Sequence, residues 1–367
     1  MIERLSPLLI TAGLGFKYVK NLQVLRRLNA GSYGYSQVGK DLVIYLPAVD
    51  VPFIEGLKLA LRPYRDQSPA VPCARSFGDR LPLYYRFGSY TGGKLIIDGV
   101  EVDDDRKNLA NAVPEGIADL IAPFTAPDAR EPSVERFLRK YPTVRAIAQQ
   151  GKCGVFHAID ISCDSLREVL LKVGYFRGQM HMDGRDGCDL LRRELACYEL
   201  LSRRHIQSLA PELIDSLDLP RKVILVLGYI DGINLLQCKL SGQLTVDLLE
   251  RAWTITEEFH ANGIYLGDVK LANFMMSKDG DLRAVDLESA GEVEKHTSLA
   301  RTFFVDPQQD DPLAADQAHF LASILYPYGQ AGSDWENRHV TLPGLLGQEP
   351  ESDVSAWALA RLGAICG

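Results

Sequence analysis

Asp268, Lys270, Asn273 and Asp286 have the residue types and the spacing that phosphoryl transfer requires. Asp268 and Asn273 stand five residues apart in the stretch Gly263-Ile-Tyr-Leu-Gly-Asp-Val-Lys-Leu-Ala-Asn273, and Asp286 follows the asparagine by thirteen. This chemistry is mainly positioning and charge neutralisation. A carboxylate orients the incoming hydroxyl and takes its proton, while an amide oxygen and a second carboxylate hold Mg²⁺ against the phosphates. Asp268 suits the first role and Asn273 with Asp286 the second. Lys270, two residues beyond Asp268, can meet the transferred phosphate as a point charge.

The flanking pattern supplies elements to position these groups. Thr245–Asn262 carries Leu248, Leu249, Trp253, Ile255 and Phe259 at near-helical spacing and ends at Asn262-Gly263, a C-cap pair. A short strand from Asn273, a Lys278-Asp-Gly-Asp281 turn and a strand over Leu282–Val285 follow. Helix, loop, strand, turn, strand and metal aspartate form the order of a protein-kinase large lobe. Upstream, Gly151 and Gly154 match the second and third glycines of a phosphate-covering loop, with Gln149 at the first position. Lys172 lies in the apolar run Leu170-Leu-Lys-Val173, where a lysine is costly without partners. ATP phosphates and Glu194, on a predicted helix over Asp189–Leu201, are the expected partners, with Glu199 the fallback. Lys222–Leu227, running into Gly228-Tyr-Ile-Asp-Gly232, reads as the strand and hinge that would meet adenine.

Two positions depart from the usual kinase pattern. Leu266-Gly267-Asp268 puts glycine where an arginine commonly binds an activation-loop phosphate, which predicts activity without that phosphorylation. Asp286-Leu-Glu288 keeps the metal aspartate but lacks the glycine that usually follows. Asp316 reads either as a buried acid bracing the catalytic loop or as a helix N-terminal acid. His260 and His319 read as packing or surface residues.

The first segment reads as a small α/β domain. Helices are expected over Met1–Thr11, Leu22–Leu28 and Val51–Pro63, and strands over Phe16–Val19, Asp41–Leu46 and Pro82–Phe87. Asp98-Gly99, between Ile96-Ile97 and Val100–Val102, is a hairpin signal. Lys17, expected to point away from Phe16 and Tyr18, stands out with Lys40 and Arg86, although each also reads as a solvated cation. The first histidine is His157. Asp103–Lys107 is a solvated charge run, and Asp119–Arg136 reads as an interdomain linker.

Composition sets the outer bounds. The chain has 367 residues, is 46% hydrophobic and carries a net charge of -8, which argues against nucleic acid as a partner. Seven cysteines without paired spacing point to reduced thiols in a cytoplasmic protein, not to a disulfide framework or structural zinc. No signal peptide or membrane span is expected.

Over residues 2–330 the chain resembles class III and IV lanthipeptide synthetases, which join a phosphoserine/phosphothreonine lyase, a kinase and a cyclase. The kinase resemblance rests on Gly151-Lys-Cys-Gly-Val-Phe156, Leu170-Leu-Lys172, Leu191-Arg-Arg-Glu194, Gly263–Asp268 and Asp286-Leu-Glu288. The lyase resemblance rests on Phe16-Lys17, Gly39–Pro47 and Tyr84–Tyr90. It implies an α+β architecture, with a lyase-like α/β domain over 1–135 and a bilobal kinase-like domain over 140–367, its lobes dividing at about 230. It further implies ATP and Mg²⁺ as cofactors and a Ser/Thr-containing precursor peptide as substrate. Lys17 matches the lyase base, and a separate lyase or cyclase is a candidate partner. The family's histidine-bearing strand would precede Met1, and Phe87 stands where the family has tyrosine, so lyase activity stays open. Two alternatives also stay open: a small-molecule phosphotransferase and a pseudokinase-like peptide scaffold.

Overall fold

The computed structural model describes residues 2–67, 71, 74–87, 94–97, 100–103, 119–125, 132–163, 165–180, 184–295, 304–305, 311–326, 339–340 and 342–366. It is mixed helix and sheet, an α+β chain. The chain forms two compact units. One comprises Met1–Arg167, Leu171–Cys188 and Leu217–Ile224; the other comprises Glu168–Leu170, Asp189–Ser216 and Leu225–Gly367.

The first unit opens with α1 (Ile2–Thr11), β1 (Phe16–Tyr18), α2 (Leu22–Asn29), β2 (Leu42–Ile44) and α3 (Val51–Leu61). Side chains set the helix starts. Asn21 caps α2 through Val24 N–H at 2.9 Å, and Asp50 caps α3 through Phe53 N–H at 3.0 Å. β1 and β2 pair antiparallel, Lys17 opposite Val43. Leu5 and Leu9 of α1 meet Phe53, Leu57 and Leu61 of α3, and Phe16, Leu42 and Ile44 close this core from the strands. Phe16 and Tyr18 share a strand face as alternation requires, their rings stacked at 6.5 Å, yet Tyr18 is exposed because only the Phe16 end meets the helices.

Hairpins follow, β3 (Arg75–Ser76) with β4 (Tyr84–Tyr85) and β5 (Lys94–Ile97) with β6 (Val100–Asp103). Ile97 pairs with Val100, as a two-residue connection demands; Asp98, Gly99 and most of the 103–107 charge run lie outside the described residues. The linker expected over 119–136 is only partly irregular. Asp119 takes hydrogen bonds from Arg75 (2.6 Å), Tyr85 (3.1 Å) and the N–H groups of Ile121 and Ala122. Helix α4 (Pro132–Arg139) then begins inside the expected linker, with Phe137 buried.

A five-stranded sheet has the order β10 (Leu213–Leu219), β11 (Lys222–Gly228), β9 (Arg167–Tyr175), β8 (Cys153–Asp160), β7 (Thr143–Gln149). β7 is one of its two edge strands, solvent-facing along nearly its whole length. Helix α5 (Gly187–Arg204) follows β9 in the chain.

The second unit continues with β12 (Gly232–Asn234), α6 (Leu235–Leu240), α7 (Val246–Ala261), β13 (Ile264–Tyr265), β14 (Phe274–Ser277), β15 (Leu282–Ala284) and β16 (Gly291–Glu292). After it come β17 (Phe304–Val305), α8 (Pro312–Leu325), β18 (His339–Val340), α9 (Leu342–Leu346) and α10 (Asp353–Cys366). Thr245 caps α7 and Gly263 ends it at φ +70°, within a residue of the boundaries expected from periodicity. Helix α10 docks on α7 through Glu250, which accepts from Trp357 Nε1 at 2.5 Å and Arg361 Nη2 at 2.6 Å. The Arg361 guanidinium also lies over the rings of Trp253 and Trp357, at 4.8 and 4.7 Å.

Candidate active site

The segment holding Asp268, Asn273 and Asp286 is closed at its base by a short ladder, in which Ile264 pairs with Glu292 and Tyr265 with Gly291. Inside it, β14 and β15 form an antiparallel hairpin whose register opposes Phe274 to Ala284. Val285 N–H then donates to the Asn273 carbonyl at 2.8 Å, which brings the chain entering Asp286 beside Asn273. Asp286 itself is left-handed, φ 63° and ψ 60°, an uncommon state for a residue with a Cβ. The Asn273 side-chain nitrogen donates to the Asp268 carbonyl at 2.9 Å, so its oxygen, the atom able to ligate a cation, faces away from that carbonyl. An amide oxygen and a carboxylate are hard-oxygen donors of the kind Mg²⁺ takes. Lys270 Nζ donates to Asp268 Oδ2 at 2.6 Å.

The loop is braced by α8. Asp316, fully buried, accepts the N–H of Leu266 at 2.6 Å and that of Gly267 at 2.8 Å, and sits 3.2 Å from His260 Nε2. Two turns along the same helix, Ser323 Oγ accepts Leu271 N–H at 3.1 Å and donates to the Phe320 carbonyl at 2.7 Å. Gly267 has φ +78°, and a Cβ there would lie 2.5 Å from the Ser289 carbonyl oxygen. Glycine at this position therefore serves backbone geometry as well as removing a cation.

Helix α5 carries Glu194, completely buried, whereas the fallback Glu199 is exposed. Next to Glu194, Arg193 reaches the turn after Asp286. Its Nε donates to the Glu288 carbonyl at 3.3 Å, and its Nη2 to the Ala290 carbonyl and the Tyr265 hydroxyl, both at 3.4 Å. Lys172, in β9 of the first unit, is only 5% exposed.

In the first unit the glycine turn meets the end of α2. A Cβ on Gly151 would lie 1.6 Å from the Asn29 carbonyl oxygen, and one on Gly178 would lie 2.0 Å from the Gly151 carbonyl. At Gly154 it would meet the Phe156 ring and the Tyr175 hydroxyl, both at 2.5 Å. Both candidate phosphate-loop glycines are thus required by protein neighbours. Asn29 also accepts Gly39 N–H on its side chain at 3.0 Å, beside Lys40. Lys17 Nζ is 5.7 Å from the centre of the Tyr45 ring, Lys40 Nζ is 3.5 Å from Gln37 Oε1, and Arg86 Nη1 is 3.5 Å from the Ser36 carbonyl. Burial pushes the Asp41 carboxyl up to about 6.

Residues 1–128 match the family described as RamC, N-terminal domain. Over 354 residues the chain is 24% identical to a probable SapB synthase of Streptomyces coelicolor, covering 86% of this chain and 37% of that protein. The chain thus spans little more than a third of that relative's length. No helix among the described residues is long and apolar enough to cross a membrane.

Several contributors escaped the sequence reading. His260 reads from the sequence as a packing or surface residue, and it packs against Asp316 at 3.2 Å; its position three residues before Gly263, at the end of α7, is the available signal. Ser323, two turns beyond Asp316, was detectable from helical spacing once Asp316 was singled out. In the sequence Arg193 stands out only as a neighbour of Glu194, and Asn29 carries no signal at all, because its contact with Gly151 joins positions far apart in the chain.

Proposed function

We propose that this chain is an ATP- and Mg²⁺-dependent kinase that phosphorylates Ser/Thr of a ribosomally made precursor peptide in lanthipeptide-type modification. The observation that carries this reading is the Asp268 loop, in which Lys270 and Asn273 bond to Asp268 while Asp316 holds the two preceding peptides, Leu266 and Gly267. Asp268 orients the substrate hydroxyl and accepts its proton as the oxygen bonds to the γ-phosphorus and the bond to the ADP oxygen breaks. Lys270 offsets negative charge beside that carboxylate. Asn273 and Asp286 are the residues suited to hold Mg²⁺, which when bound neutralises phosphate charge. Gly151 and Gly154 are assigned to the phosphate-covering turn, and Lys172 with Glu194 to the ion pair that orients ATP. The matched N-terminal region suits a following elimination, in which Lys17 removes the α-proton, a carbon–carbon double bond forms and phosphate leaves. The likeness to a SapB synthase supports the peptide substrate.

The test is the intact mass of a Ser/Thr-rich precursor peptide incubated with the protein and Mg-ATP. Phosphate addition that Asp268→Asn abolishes supports the kinase, and subsequent loss of phosphoric acid that Lys17→Ala abolishes supports the elimination. Transfer that survives Asp268→Asn would sink the catalytic assignment.

A further inference from the structure

We propose that Arg193 is a positioning residue that ties helix α5 to the turn following Asp286, so that the catalytic arrangement is held without a covalent phosphate. The proposal rests on the kinase reading and deepens it. Arg193 immediately precedes Glu194 on α5, so whatever fixes Arg193 also fixes the rotation of the helix that presents the buried glutamate. Its guanidinium spans two pieces of the loop at once. Glu288 and Ala290 lie two and four residues after Asp286, and Tyr265 lies three residues before Asp268. Hydrogen bonds of 3.3–3.4 Å reach the carbonyls of the first two and the hydroxyl of the third.

The fork geometry matters. A planar guanidinium can serve separate acceptors in fixed directions, whereas an ammonium is a compact point charge. These three acceptors are neutral oxygens built into the chain, and they are present in every molecule. A phosphate that bridges an arginine to an activation segment is present only after modification. The neighbouring turn is consistent with this division of labour. Gly267, where an arginine would commonly sit, leaves room for the Ser289 carbonyl between the two carbonyls that Arg193 holds. The cation is therefore supplied from α5 instead of from the catalytic loop, and the groups it binds need no modification.

The experiment compares full-length wild type with Arg193→Lys, Arg193→Gln and the milder Tyr265→Phe. Three readouts are taken: steady-state transfer to the peptide, hydrogen exchange, and the intact mass of the protein itself. Wild type is expected to be active while carrying no phosphate. Arg193→Lys and Arg193→Gln are expected to lower kcat by about ten- to a hundredfold with peptide KM little changed, the signature of a lost positioning interaction. Tyr265→Phe should show a smaller loss. Exchange should rise across 286–291 and the middle of α5, with α7 unchanged, which separates a local release from general destabilisation. Lysine restoring full kcat, or unchanged exchange in 286–291, would overturn the proposal. So would wild-type activity that phosphatase treatment removes. If wild type transfers no phosphate but the exchange response appears, the kinase reading fails while the tie itself stands.

Discussion

The carboxylate of Asp316 holds Gly267 by its backbone N–H at 2.8 Å, from a side chain with no solvent exposure. The same carboxylate takes Leu266 N–H, so one helix residue fixes two consecutive peptides just before Asp268. Asp316→Ala would leave both donors buried without this acceptor. At roughly 1–3 kcal/mol for each unsatisfied group, the expected destabilisation is about 2–6 kcal/mol. Urea unfolding measures it, and a loss within about 0.5 kcal/mol, the range of ordinary surface substitutions, would contradict the brace.

Gly267 and Gly263 form an internal comparison. Both have positive φ, +78° and +70°, but a Cβ on Gly263 meets open space while one on Gly267 meets Ser289. Gly263→Ala should cost roughly 1–2 kcal/mol, the left-handed penalty alone. Gly267→Ala should cost more and depress transfer, because the Ser289 carbonyl has to move. Equal melting shifts for the two variants would show that the close approach carries no energy.

Asp41 gives a pH dependence with a defined sign. Burial raises its carboxyl from 3.8 to about 6, so the folded chain keeps a proton that the unfolded chain releases between those values. The favourable contribution is complete below about pH 4 and disappears as pH rises through about 6, a loss of up to roughly 3 kcal/mol. Asp41→Asn should therefore be more stable than wild type at pH 7, with the difference shrinking toward pH 4. Paired denaturation curves across that window decide it, and a difference independent of pH would refute the linkage.

Gly151→Ala tests the contact with Asn29. An added methyl at 1.6 Å from a carbonyl oxygen cannot be accommodated without backbone movement. We expect a destabilisation of about 1–3 kcal/mol, typical of forced overpacking. Exchange at α2 and at the glycine turn should rise together. A change confined to the turn would mean that the Asn29 contact is not maintained in solution.

Much of this is legible in the sequence alone. The Asp268 loop, its helix and its hairpin were readable because the chemistry-bearing residues are close in sequence and their caps are local: Thr245, Asn262, Gly263 and the Lys278–Asp281 turn. The N-terminal helices emerged from periodicity for the same reason. The Tyr84–Tyr85 strand proved shorter than its apolar run, because few partners pair with it. Arg193, His260 and Asn29 act through residues tens or more positions away, so no local pattern announces them. The expected linker failed differently: its alanines and prolines concealed an amphipathic helix whose Phe137 is buried.

The contact of α2 with the glycine turn also bears on where this chain can be cut. The matched N-terminal region ends at 128, yet the compact unit that contains it continues to Arg167 and includes the turn resting on Asn29. Tyr35 and Tyr175 meet across the same unit at 3.5 Å, and Asp66 accepts from Arg221 at 2.5 Å. An excised fragment starting near residue 135 would carry a glycine turn without its floor and an arginine without its aspartate. A transplant that swaps the first 128 residues for those of a relative would have to carry matching surfaces at all three places, so the modular boundary suggested by sequence matching is not a seam along which the molecule divides.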